Sequence, residues 1–247
     1  ALGTAFSQVI TALLMLFMLL VREPNMKLHK GELFALVGYK ESLRGAIRLG
    51  APIGAEQVIM RGAQITTASM IASLGTVAMA THSLAITAES FAYMPAYGIG
   101  LAQVAITGRE IGSGDMKRAK QVGWAGIQFA AIITIVLSVI LFVFATPLMR
   151  MLTPDLELIE LGTTILRIEA IAELFYGTQL VCTGILQGRG DTLVSSGLVL
   201  ACLWLVRVPL TMILIKPFGL VGAWLAMSIE LCVRGVLFLG RFQFGKQ

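Results

Sequence analysis

Nine charged side chains interrupt stretches of this chain that are otherwise apolar enough to cross a bilayer: Glu56, Arg61, Glu89, Arg167, Glu169, Glu173, Arg207, Glu230 and Arg234. In hydrocarbon the backbone must satisfy its own hydrogen bonds, which leaves only helices and closed barrels. The apolar runs here exceed the roughly ten residues of a barrel strand and reach the roughly 20 of a spanning helix, so an all-α polytopic membrane protein is predicted. A charge at membrane depth costs at least about 2.5 kcal/mol and is normally kept only to face a bundle interior, a partner or a water-filled path. Nine of them point to a transporter.

Composition excludes the main competitors. Charged residues are 13% of the chain, about half the share usual in globular domains. Cys182, Cys202 and Cys232 sit singly in apolar runs, and no Cys or His pair has zinc or obvious disulfide spacing. The Gly98-Ile99-Gly100, Gly112-Ser113-Gly114 and Gly188-Arg189-Gly190 triplets lack the strand before and helix after that a phosphate cradle needs. With only His29 and His82 present, a Ser-His-Asp arrangement is poorly supported. The chain is read as not an enzyme, without a cofactor or a bound metal.

Seven spans are expected: Leu2 to Val21, Gly45 to Leu74, Thr76 to Ile111, Ala119 to Phe144, Leu158 to Leu186, Thr192 to Ile215 and Leu220 to Leu239. The last two divide at Lys216-Pro217-Phe218-Gly219. If the segment after Val21 is cytoplasmic, thirteen Lys and Arg between Arg22 and Lys246 fall on that face, against only Arg150 and Lys216 outside. That asymmetry supports both the spans and their direction, with a cytoplasmic C-terminus. Residues 22–44 are polar, with amphipathic character around Leu33 to Leu43, and read as a linker on the membrane surface or as a solvated loop. The chain enters its first apolar run at Leu2 without an initiator Met or basic start, so a cleavable signal is not expected and a piece of a longer protein is. Gly3 and Arg22 share their spacing with Gly222 and Arg241, a hint of two related halves.

Three spans carry candidate chemistry. On the third, steps of four and three from Glu89 give Tyr93, Ala96, Gly100, Gln103 and Thr107, and seven back gives His82. That face is polar or small from end to end and is expected to line a cavity, beside a bend at Pro95. On the fifth, Glu169, Glu173, Tyr176, Thr183 and Gln187 share a face. Two carboxylates one turn apart repel when both are ionised, so one of them is a candidate for carrying a proton, with a structural ion pair to an arginine as the alternative. On the second, Glu56 and Arg61 point different ways, while Arg61 shares a stripe with Gln57 and Gln64. Its partner is expected to be Glu89 or Glu173. Glu230 and Arg234, at i and i+4 with the acid first, read as a structural pair; Arg207 has no partner in its own helix.

These residues resemble a known family. Tyr93 to Gln121, reading YMPAYGIGLAQVAITGREIGSGDMKRAKQ, is similar to the eighth helix and following cytoplasmic loop of multidrug and toxic compound extrusion (MATE) transporters. Gly184 to Thr192 (GILQGRGDT) is similar to the loop after their tenth helix, and Gly219 to Trp224 (GLVGAW) to the start of their twelfth. The resemblance covers nearly the whole chain. It implies a six-helix transmembrane lobe plus one preceding helix, half of a twelve-helix two-lobe transporter: 1–21 the last helix of the amino-terminal lobe, 22–44 the inter-lobe linker, 45–242 the carboxyl-terminal lobe and 243–247 a cytoplasmic tail. Such proteins export organic cations or amphipathic drugs across the cell (inner or plasma) membrane in exchange for protons or sodium ions, by alternating access between lobes. Many members place one cation-binding acid on helix seven and another on helix ten. Here the latter position falls on Tyr176, and Glu56 lies a turn earlier than expected. Either Glu89 and Glu173 substitute, or coupling resides in an amino-terminal half.

The expected cavity residues are therefore Glu89, Glu173, Tyr93, Tyr176, Gln103, Arg61, Gln64 and Glu56. The closest alternative function is a lipid-linked oligosaccharide flippase of the same superfamily, which needs basic cavity residues and has Arg61, Arg167 and Arg207 to offer. A non-transporting scaffold or an intramembrane enzyme would instead have polar faces fully paired and dry.

Overall fold

The computed structural model describes residues 2–21 and 40–244; residues 22–39 of the linker expected over 22–44, and the last three residues of the tail, lie outside them. The chain divides into two units, Ala1–Arg48 and Leu49–Gln247, four residues beyond the linker's expected end. The first contains α1 (Leu2–Val21), which exposes Phe6, Leu13 and Phe17.

The second holds most of α2 (Lys40–Ala72), then α3 (Thr76–Gly112), α4 (Met116–Leu152), α5 (Leu156–Gly188) and α6 (Thr192–Ala201), a π-helical turn (Cys202–Arg207) and α7 (Val208–Phe244). The described residues contain no strand. At Gly219 α7 breaks, with φ 57° and ψ −134°, values open to glycine and not to residues with a Cβ. Pro217 just before it cannot donate to the helix ladder. The division expected between the sixth and seventh spans is this break. Asp115 and Asp155 begin α4 and α5, their carboxylates accepting from the Arg118 amide at 2.9 Å and the Glu157 amide at 3.0 Å, which satisfies donors a helix start leaves free.

By composition alone Met116–Leu152 and Thr192–Phe244 are long and apolar enough to cross a membrane. The helices α2, α3 and α5 run to 33, 37 and 33 residues, also long enough to cross, but are less apolar and carry the buried Glu56, Glu89, Glu169 and Glu173. α5 packs against α3, α4 and α7, and glycines set its closest approach. A Cβ on Gly100 of α3 would stand 2.7 Å from the Leu180 carbonyl oxygen, and one on Gly184 would collide with the carbonyl of Gly100. Backbones meet directly there, the small-residue packing available to membrane helices.

Two apolar cores result. One gathers Ile71, Ala85, Met149, Leu166 and Trp224; the other gathers Ala130, Val181, Ile185, Phe238 and Phe242. Along α5 the first core runs over 159–170 and the second over 181–186, and along α7 they occupy 220–227 and 238–242. On α5 and α7 the buried Glu173, Ser228, Glu230 and Arg234 lie between these ranges, while the buried Glu169 and, on α3, Glu89 stand at the margin of the first core. Six of the nine charges that interrupt the apolar runs, Glu89, Glu169, Glu173, Arg207, Glu230 and Arg234, thus gather in a polar belt at the waist of the bundle.

Candidate functional site

At that belt, Glu89 of α3 and Glu169 and Glu173 of α5 each bring a carboxylate oxygen within 4.8 Å of the others. Glu89 is 7% exposed, Glu169 and Glu173 0%. The Ser228 hydroxyl donates to Glu169 Oε2 at 2.7 Å. Neither oxygen of Glu173, nor Glu169 Oε1, has a hydrogen-bond partner among the described residues. Buried ionised acids without donors are costly, so this trio is suited to hold a proton or a cation. Hard cations take oxygen ligands at about 2.4 Å, so oxygens on opposite sides of one ion stand about 4.8 Å apart and the cluster has the right span.

Beside the trio lie two cavities. The smaller, about 200 Å³, is lined by Gln64, Glu89, Tyr93, Tyr176, Arg207 and Arg234 with Met60, Ile86, Leu203, Met227 and Leu231. The larger, about 540 Å³, shares Met60, Gln64, Tyr93, Tyr176 and Arg234 and adds Glu56, Gln57, Arg61, Tyr97, Gln179, Thr183 and Gln187 among others. Tyr93 and Tyr176 meet edge to face with centroids 5.4 Å apart. The Arg234 guanidinium lies 5.7 Å from the Tyr176 centroid, so that ring already faces a cation, the geometry aromatic faces favour.

A basic triad closes the site on the α7 side. Glu230, fully buried, sits 2.8 Å from Arg207 and 3.1 Å from Arg234. The predicted i,i+4 pair is present, and Arg207 finds its partner on a different helix from its own. Both are close ion contacts without hydrogen-bond alignment, since neither Glu230 oxygen has a hydrogen-bond partner by geometry.

Of the residues expected in the cavity, Glu89, Tyr93, Tyr176, Arg61, Gln64 and Glu56 line one or both spaces. Glu173 stands behind Glu89 in the trio and lines neither. Gln103 differs from expectation. It is 5% exposed, nests against Gly126 of α4 and donates to the Val122 carbonyl at 3.4 Å. Arg61 differs in its partner, because it reaches Gln64 of its own helix at 3.0 Å and neither glutamate. Glu56 accepts from the Ser196 hydroxyl at 2.5 Å, which ties α2 to α6. Arg167 is exposed over the Phe142 ring, 5.7 Å from its centroid, and lines neither cavity. Sequence reasoning left Arg234 and Met60 out of the cavity; Arg234 was detectable as a charge at membrane depth, whereas an apolar Met60 carries no such signal.

Comparison with known proteins agrees with this architecture. The family model described as MatE matches residues 52–213. The probable multidrug resistance protein NorM of Thermotoga maritima is 29% identical over all of this chain and 53% of its own length. The Brucella suis protein of the same name is 30% identical over 79% of this chain and 43% of its own. The chain spans about half the length of the curated relatives it matches. Among solved structures, the Vibrio cholerae MATE transporter VcmN in its bent form superposes with a TM-score of 0.78 at 19% identity, over 84% of this chain and 47% of that one. A MOP superfamily transporter from Pyrococcus furiosus, whose binding pocket is described as reversed in polarity, gives 0.74 at 21% identity over 81% and 44%. At these identities the likeness is one of fold.

Proposed function

The chain belongs to the MatE family, and from that premise we propose that it is the carboxyl-terminal lobe of a multidrug efflux antiporter. In this reading it works with an amino-terminal lobe in the cell membrane, its C-terminus cytoplasmic. It exports organic cations or amphipathic drugs in exchange for protons or sodium ions. The observation that carries the reading is the trio of buried carboxylates at the edge of an aromatic cavity. A bulky cation in that cavity meets tyrosine faces and the field of Glu89, which is strong where water is excluded. A proton or sodium ion taken up by Glu89, Glu169 or Glu173 removes that field and weakens the hold on the drug. Competition of this kind biases a two-state transporter only through the difference in affinity between its states, and it requires no contact between the coupling ion and the drug.

The distribution of basic residues supports a cation over a lipid pyrophosphate. Arg207 and Arg234 share Glu230, Arg167 faces away, and among the described residues only Arg61 brings a guanidinium to the larger cavity without a carboxylate on it. Glu173, without a hydrogen-bond partner among the described residues, argues against a fully paired scaffold.

The test uses everted vesicles containing the full-length transporter that carries this lobe, loaded with a fluorescent organic cation under an imposed proton gradient and then a sodium gradient. Uptake driven by either establishes antiport and names the ion. Uptake by neither, beside a working control pump, transfers the assignment to the lipid-linked flippase.

A further inference from the structure

The lining of the smaller cavity, which includes Glu89, also carries a positive charge that the antiport reading leaves unused. Glu230 and Arg234 are one turn apart on α7 and neutralise each other within a single helix. Arg207 arrives from a different segment and adds a second guanidinium to the same carboxylate. Two positive charges against one negative leave the triad at net +1.

Arg207 is placed there by a local departure from α-helix. The Val208 amide bonds the carbonyl of Leu203, five residues back, and Pro209 that follows cannot donate to Leu205 four residues back. A wide turn of this kind shifts the helix face by about 100°. Within the turn Leu205 is 75% exposed and Arg207 is 9% exposed. The guanidinium then borders the cavity that Glu89, Tyr93 and Tyr176 also line. Its Nε is buried without a hydrogen-bond partner among the described residues, and its contact with Glu230 lacks hydrogen-bond alignment. This is a held charge that is not saturated by its partner.

We propose that Arg207 is a specificity-determining residue, a tethered cation whose surplus charge opposes an organic cation in the adjacent cavity and so sets how much substrate charge the site accepts. The inference rests on the reading of the cavity as a cation site. Its consequence is selectivity by charge number. A monovalent lipophilic cation is admitted against a modest opposing field, a dication meets twice that opposition, and a neutral amphiphile meets none.

The experiment measures equilibrium binding of tetraphenylphosphonium and of a bis-quaternary ammonium dication to the full-length transporter in nanodiscs. Four variants are compared with the parent: R207M, R207K, E230Q and the double variant R207M/E230Q. The triad's net charge is +1 in the parent, 0 in R207M, +2 in E230Q and +1 again in the double variant. R207M is expected to tighten tetraphenylphosphonium by about tenfold and the dication by more, E230Q to weaken both, and R207K and the double variant to return near parental affinity. A residue that only braces the fold would make both single changes harmful to binding, whereas opposition by charge makes R207M bind more tightly and E230Q more weakly. Weaker binding in R207M with parental binding in R207K overturns the proposal and marks Arg207 as an anion seat. Equal binding in all variants overturns it as well. Should R207M fail to fold, E230Q and R207K still decide, since parental affinity in E230Q refutes the charge argument. If the parent binds neither cation, the antiport reading falls first and this inference with it.

Discussion

Replacing Gly100 by alanine drives a methyl group into the backbone of α5. The new Cβ would stand 2.7 Å from the Leu180 carbonyl oxygen and 3.2 Å from its carbon, where ordinary contact begins at 3.4 Å. The shortfall is about 0.7 Å, and both atoms are backbone, so no side chain can rotate away; the two helices must part. Overpacking of this size costs about 1–3 kcal/mol, and the better helix propensity of alanine returns up to about 1 kcal/mol, for a net loss near 1–2 kcal/mol. Gly98, two residues earlier in the same helix, has nothing within 4 Å of where its Cβ would be. There the same change should gain about 0.5–1 kcal/mol from propensity alone. Thermal unfolding of both variants in detergent, read by tryptophan fluorescence, should therefore move in opposite directions. Because α3 and α5 carry the carboxylate trio and the Tyr93–Tyr176 contact, G100A should also lose drug affinity while G98A keeps it. Equal stabilities in the two variants would refute backbone-to-backbone packing at this level.

Three further outcomes are expected. Glu89→Gln should abolish ion-driven export while leaving the lobe folded; coupled export at the parental rate in the vesicle assay would remove Glu89 from the coupling site. Ser228→Ala should cost about 1–3 kcal/mol, since it strips Glu169 Oε2 of its donor in a buried position, and unfolding midpoints unchanged from parent would show that the bond is not formed. Asp191 and Arg241 meet at 2.7 Å, each side chain about one-third exposed. A double-mutant cycle with Asp191→Asn and Arg241→Met should give a coupling of about 0.5–1 kcal/mol, and a coupling of zero would mean that the loop after α5 is not tied to the end of α7.

The features that could be read from sequence were those governed by local rules. The break at Gly219 follows from Lys216-Pro217-Phe218-Gly219, and the Glu230–Arg234 contact from i,i+4 spacing. Gln103 illustrates the limit. A stripe at steps of three and four drifts by about 20° per seven residues, so the fourteen residues from Glu89 to Gln103 turn the face by about 40°. That rotation is enough to carry Gln103 from the cavity to α4. The partner of Arg61 was missed because Gln64, one turn on, satisfies it without another helix. Glu169 was seen on the right face, but its bond to Ser228 and the reach of Arg207 to Glu230 join segments far apart in sequence, which no spacing encodes. The π turn leaves no periodic trace, and only Pro209 hints at it.

The two apolar cores separated by a charged waist give the bundle an uneven mechanical character. Dense apolar packing at each end is stiff and resists any change of volume, whereas a middle layer of unsaturated ionic contacts can take in or expel water and ions with little rearrangement of its neighbours. The lobe should therefore respond to compression and to changes in osmotic strength chiefly at its waist, breathing there while its two ends keep their shape.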